Sequence, residues 1–237
     1  MKKSFLSHTL LAAAAAVALG TIAVGANADT ISGTQTVLTS PTAVNLTTQG
    51  SVDWIYEYGT ASGVGTFQRK ANVGTIISGP VLTNNLGFNV GSPIAATWSD
   101  GHPSLTGSDT KGGFQRTNSN STVTFTVTPD GNAQTLTVYA GVIAGTATDT
   151  YSLQNVTSNV TLTNSVASGF KWWADTINFT AAPTDILTVT LTGSNGGKVP
   201  IAGATLADAA PTPEPASLGL LGIGGAALLL ISRRKRA

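Results

Sequence analysis

His102 is the only histidine after residue 28, and it stands in the run Trp98-Ser99-Asp100-Gly101-His102-Pro103-Ser104. An imidazole beside a carboxylate begins a nucleophilic arrangement when a serine completes it, and Ser99, Ser104 and Ser108 are close in sequence. Asp-Gly and His-Pro are ordinary turn pairs, however, and no Gly-x-Ser-x-Gly elbow sets a serine on a strained turn. Glycoside hydrolysis would need two carboxyls facing one bond. Glu57 is the only glutamate between residues 29 and 210, and the ten acidic residues of that span are scattered singly. The chain has no cysteine, which removes thiol catalysis, zinc-thiolate sites and iron-sulfur clusters. Asp100, Asp109, Asp130 and Asp149 are oxygen donors of the kind calcium takes, but no Asp-x-Asp-x-Asp-Gly loop gathers them. The expectation is a protein with no catalytic residues, metal or cofactor; the alternative is a secreted polysaccharide hydrolase.

Binding chemistry has a better candidate. Trp172 and Trp173 are adjacent, so in a strand one faces the core and the other faces out. An outward indole beside Lys171 and Asp175 would offer sugar rings a stacking face with polar groups at its rim. Trp172, Trp173 and Asp175 are therefore the candidate glycan-binding residues, whereas Trp54 and Trp98 sit in alternating patterns that read as core.

The elements that must position these residues read as strand after strand. Residues 31–38 and 43–47 are Thr-rich candidates. In 51–58, Val52, Trp54, Tyr56 and Tyr58 alternate with Asp53, Ile55 and Glu57, the period-two pattern of a strand. In 121–141, Val123, Phe125 and Val127 share one face and Leu136, Val138 and Ala140 another. Pro129-Asp130-Gly131-Asn132 lies between them, which predicts a hairpin. Further strands are predicted near 149–153, 155–162, 172–180, 186–192 and 199–206. No long 3.6-residue apolar period and no fixed-length repeat interrupts this reading. The fold expected is all-β, a single β-sandwich of jelly-roll type.

Charge narrows the partners. The chain as a whole carries +1, from 12 basic and 11 acidic residues. Between residues 29 and 210, six basic against ten acidic residues leave −4. Nucleic-acid binding would need clustered Lys and Arg, and there is no such cluster here.

The two ends supply the organisation. Lys2 and Lys3 precede an apolar, Ala-rich stretch, then Ala26-Asn27-Ala28 and Asp29. This is the charged, apolar, small-residue order of a secretory signal peptide, with Ala26 and Ala28 at the cleavage pocket. Near the other end, the uninterrupted apolar run 218–231 has 14 residues and is followed by Arg233, Arg234, Lys235 and Arg236. Fourteen is short of the roughly 20 a spanning helix needs, though Ala216, Ser217 and Ser232 can lengthen it. The basic cluster would hold the cytoplasmic side. The expected division is a signal peptide over 1–28, a β-sandwich domain over 29–207, a proline-rich spacer over 208–215 and a transmembrane basic tail over 216–237.

Pro213-Glu214-Pro215, the short glycine-rich apolar run and Arg233-Arg234-Lys235-Arg236, in that order, resemble the PEP-CTERM sorting signal of Gram-negative bacteria. The resemblance implies an exosortase-type enzyme as partner. It also implies anchorage in the inner membrane before processing, then delivery to the cell surface or extracellular matrix, where exopolysaccharide and biofilm are the expected surroundings. Pro213, Glu214 and Pro215 would then be part of a substrate for that enzyme. Asp53-Trp54-Ile55-Tyr56-Glu57-Tyr58-Gly59, followed by 66–70, 96–104, 125–141 and 199–206, resembles the galactose-binding-like β-sandwich modules of secreted bacterial proteins.

Overall fold

The computed structural model describes residues 29–209 apart from 40–41, 62–63, 93, 111 and 158. Among the described residues the chain runs β1 (Thr30–Leu38), β2 (Thr42–Asn45), α1 (Leu46–Gln49), β3 (Asp53–Ala61), β4 (Val64–Lys70), β5 (Val81–Leu82), β6 (Asn85–Val90) and β7 (Ile94–Trp98). It continues through β8 (Gly101–His102), β9 (Gly107–Asp109), β10 (Gly113–Thr117), β11 (Thr122–Val127), β12 (Ala133–Leu153), β13 (Val160–Thr180), β14 (Leu187–Ser194) and β15 (Pro200–Asp208). The all-β expectation holds. The sandwich is made by one twelve-stranded sheet that curls over, with a three-stranded sheet β2-β7-β9 laid on its outside.

The curl is set by the 21-residue strands β12 and β13, which pair antiparallel from Ala133↔Thr180 to Tyr151↔Val160 with a register shift between Ile143 and Gly145. There β12 bends: Ala144 has φ 50° and Gly145 φ 81°. Before the bend β12 pairs with β15, and after it with β14. The first layer thus holds the near half of β12 with β15, β3, β4 and β10, and the second holds the far half with β14 and β11. Gly145 has no room for a side chain, since a Cβ would lie 2.3 Å from the Gly197 nitrogen.

Two cores result. Val123, Phe125 and Val127 of β11 meet Leu136, Val138, Trp173 and Ile177 between the two layers. On the opposite face of the first layer, Trp54, Tyr56, Tyr139 and Trp172 are covered by Val44, Leu46, Ile94, Ala96 and Trp98 of the small sheet and its flanks. This is why β3 is buried at every residue from Asp53 to Glu57: it is a middle strand with a core on each face, Ile55 pointing to one and its two aromatic neighbours to the other.

Several local expectations are corrected. The predicted hairpin over 121–141 does not form: β11 pairs with β14 and β5, not with β12. Its two apolar faces do meet, but across the core, because the Pro129 to Asn132 segment carries the chain from one layer to the other. The strands predicted at 149–153 and 172–180 belong to the long β12 and β13, and the one predicted at 155–162 begins only at Val160. The strand predicted over 43–47 gives way at Asn45, which caps α1 by accepting a hydrogen bond from Thr48 N at 3.1 Å, a role for which Asn is well suited.

Candidate functional site

The expected glycan platform is not on the surface. Trp173 and Asp175 are fully buried and Trp172 is 6% exposed. As read from the sequence, the adjacent indoles face opposite ways, but each enters a core. Trp172 packs edge-on against Phe114, with centroids 5.0 Å apart, and parallel to Phe170, which is the exposed ring of that cluster. Trp54 and Trp98 are core residues, as their alternation implied.

Asp175 instead enters a buried polar network at the fold of the sheet. Its Oδ2 accepts from the Tyr151 hydroxyl at 2.6 Å and its Oδ1 from Gln35 Nε2 at 2.6 Å. The Gln35 carbonyl in turn accepts from Asn164. Asp149 hydrogen-bonds to Asp175 through its carboxyl, and its Oδ2 accepts from Trp173 Nε1 at 2.7 Å. Burial raises the Asp149 carboxyl well above the usual range, the Asp175 charge adds to this, and the Trp173 hydrogen bond only partly offsets them. Burial also raises Asp175, against the hydrogen bonds it receives from Asp149, Tyr151 and Gln35. No protein donor reaches Asp149 Oδ1. A proton on Asp149, donated to Asp175, accounts for these facts together. The pair has two carboxyls but no solvent access, so its chemistry is that of a shared-proton clasp between layers.

The Asp100-His102 pair does not assemble either. Asp100 accepts from Lys70 Nζ at 2.6 Å, Thr47 Oγ1 at 2.6 Å and Trp54 Nε1 at 3.0 Å. Burial works to raise its carboxyl, but these three donors hold it below the ordinary value. His102 pairs through its backbone with Arg69 of β4, but its ring is exposed and no described side-chain hydrogen bond involves it. Asp109 ties the Gly112 and Gly113 nitrogens and the Tyr56 hydroxyl together. Glu57, buried and with Gln115 Nε2 as its hydrogen-bond donor at 3.0 Å, is pushed up to about 7 by burial.

The surface carries a feature that the positions of the tryptophans do not indicate. On β11, β14, the far half of β12 and the start of β13, every outward position of the second layer is a threonine or serine; at the edge of this array Val81 of β5 faces out beside Thr124. Register aligns them in rows: Thr122, Thr192, Thr148 and Thr163; Thr124, Thr190, Thr150 and Thr161; Thr126, Thr188 and Ser152; Ser194, Thr146 and Ser165. Neighbours within a row are about 4.8 Å apart and successive rows about 6.7 Å apart, by strand geometry. No charge interrupts the array. The signal was present in the sequence as alternate threonines in Thr122-Val-Thr-Phe-Thr-Val and Leu187-Thr-Val-Thr-Leu-Thr, but only the register turns four strings into a lattice.

The remaining expected sites, Ala26 and Ala28 at one end and Pro213, Glu214, Pro215, Arg233, Arg234, Lys235 and Arg236 at the other, lie outside the described residues, as does the expected spanning segment. No described helix is long and apolar enough to cross a membrane. The described domain ends on β15, which is hydrogen-bonded to β12, β3 and β10 and runs to Asp208. Three residues later, over 211–236, the chain matches the family model described as the PEP-CTERM protein-sorting motif. An all-β domain and a C-terminal sorting signal thus define an exported protein directed to the cell envelope or surface. Its processing partner is an exosortase. No curated protein matches the chain. The family match does not reach 51–206, so the resemblance of that segment to galactose-binding-like modules is unsupported.

Proposed function

We propose that this is a non-catalytic display protein: its sorting tail delivers the β-domain to the outside of the Gram-negative cell, where the domain associates with uncharged regions of the extracellular polysaccharide of the biofilm matrix. The observation that carries this reading is the hydroxyl lattice on the second layer. Methyl and hydroxyl groups alternating on an uncharged β-face suit extended sugar chains, which present apolar ring faces and hydroxyl edges in turn. Many weak contacts in register give avidity without a deep pocket. The internal use of the acidic side chains also favours a scaffold: Asp53, Asp100, Asp109, Asp149 and Asp175 each hold parts of the fold together.

The test is affinity electrophoresis of the full chain through gels containing the producing cells' own exopolysaccharide, with a Thr150→Glu, Thr190→Glu variant alongside. These neighbours lie in one row, so two carboxylates there break the neutral face without entering a core. Retardation of the native chain that the double variant loses is the expected result. Equal mobility of native and variant chains overturns the binding reading, and release of new reducing ends from the gel polysaccharide overturns the non-catalytic one.

A further inference from the structure

The curled sheet has a long open edge. β1 pairs with β13 alone, through nine consecutive positions from Thr30↔Thr180 to Leu38↔Trp172 without a register shift. Among the described residues no strand covers its other side. The backbone donors and acceptors on that side form a template for another strand, and proteins ordinarily blunt such edges with lysine, proline, a bulge or short length. β5 and β8, the ends of the main path through the sheet, are two residues each. β1 has none of these devices: its sequence is Thr-Ile-Ser-Gly-Thr-Gln-Thr-Val-Leu, and no charged residue occurs from Thr30 to Val52.

The edge is also held firmly in place. Gln35 lies between Asp175 and Asn164 in the buried network. Gly33 is so closely packed that a Cβ would lie 2.6 Å from Ile177 Cδ1. The strand is therefore presented in a fixed position, with Ser32, Thr34 and Thr36 pointing to solvent.

We propose that two copies of the exported chain pair through their β1 strands, antiparallel about Thr34, to make one sheet continuous from β13 of one copy to β13 of the other. Three facts select a second copy as the occupant. The edge is complementary to itself in the antiparallel sense, so the contact is two-fold symmetric and closes as a dimer. A register centred on Thr34, the middle residue of β1, keeps like faces together, as a one-residue slip would not. It also places the nearest charges, the two Asp29 side chains, at opposite ends of the pair, so no repulsion arises between uncharged strands.

The absence of cysteine from the chain makes the test clean. Full-length chains with Thr34→Cys, or a mixture of Ser32→Cys and Thr36→Cys chains, are exported and oxidised, then run on non-reducing gels. Val81→Cys and Leu105→Cys serve as controls at positions 67% and 65% exposed. Opposed residues of an antiparallel pair are about 4.5 to 5.5 Å apart at Cα, within disulfide reach. Cross-linked dimer at Thr34, and between positions 32 and 36, at least about fivefold above the controls is expected. Thr34→Lys lowers the dimer fraction of the otherwise native chain, because like charges then face each other, and mixing Thr34→Lys with Thr34→Glu chains restores it. Protease resistance equal to that of the native chain shows that these variants fold. Cross-linking at Thr34 no greater than at Val81 and Leu105 overturns the proposal, as does a Thr34→Lys chain that dimerises like the native one.

Discussion

Asp149 and Asp175 lie hydrogen-bonded to each other in the interior, on β12 and β13, each completed by an aromatic donor: Trp173 to the first and Tyr151 to the second. Because both carboxyls are raised, the folded protein retains protons that the unfolded chain would release. The stabilising contribution is therefore fully present below the ordinary carboxylate value and is lost as pH rises through the folded values. Asp149→Asn supplies an amide that donates to Asp175 as the protonated acid does. It should change stability at neutral pH by no more than about 1 kcal/mol and flatten the alkaline fall in melting temperature. Asp175→Ala leaves Tyr151, Gln35 and Asp149 without their acceptor and should cost about 3 kcal/mol. Thermal melts from pH 5 to 9 read both.

Glu57 adds to the same trend from a different place. Its folded value of about 7 against 4.5 for a free side chain means that stability falls between those pH values, by up to about 3 kcal/mol. One oxygen, Oε1, has no protein donor, while Gln115 serves the other. Glu57→Gln should make the protein more stable than the native chain above pH 7 and nearly equal to it at pH 4. Denaturant midpoints at the two pH values measure the difference.

The bend that creates two layers depends on Gly145. Its φ of 81° is one that L side chains rarely adopt, and the Gly197 backbone occupies the space of a Cβ. Gly145→Ala should therefore cost at least about 2 kcal/mol, whereas Gly169→Ala, also at positive φ but with open space around it, should cost about 1 kcal/mol. Urea titration of the two variants separates the steric contribution from the conformational one.

Alternation showed which side chains of β3 share a face, since period two is a local property. It did not show that both faces are covered, because the cover over Trp54 and Trp172 comes from β2, α1 and β7, which come together only through the tertiary fold. The same limit defeated the tryptophan platform: opposite orientation was legible, exposure was not. Ala144-Gly145 in β12 and Ser168-Gly169 in β13 look like breaks, yet the strands pass through them by bending, so two long strands were read as several short ones. The sorting tail was legible because its recognition rests on residue types in order along the chain, with no dependence on packing. The threonine lattice falls between these cases, visible as four separate alternations but assembled only by strand register.

Asp100 joins the small sheet to the rest of the molecule. It follows β7 and accepts from Lys70 at the end of β4, from Thr47 in α1 and from Trp54 in β3, so three elements converge on one carboxylate. Asp100→Ala strands the buried Trp54 Nε1 and unpairs Lys70, at a cost of about 2 to 3 kcal/mol. The loss should be local first: limited proteolysis should cut between residues 90 and 110 while the core between the layers stays protected. The native carboxyl is held below the ordinary value, so its contribution is present above that value and lost as pH falls through the folded one. The native chain should thus show the same early cleavage in acid. His102→Ala, which removes an exposed ring without a hydrogen-bond partner, should leave both proteolysis and melting unchanged. Were His102→Ala to destabilise as Asp100→Ala does, the two residues would form a unit after all, and the assignment of Asp100 to holding the sheets together would fail.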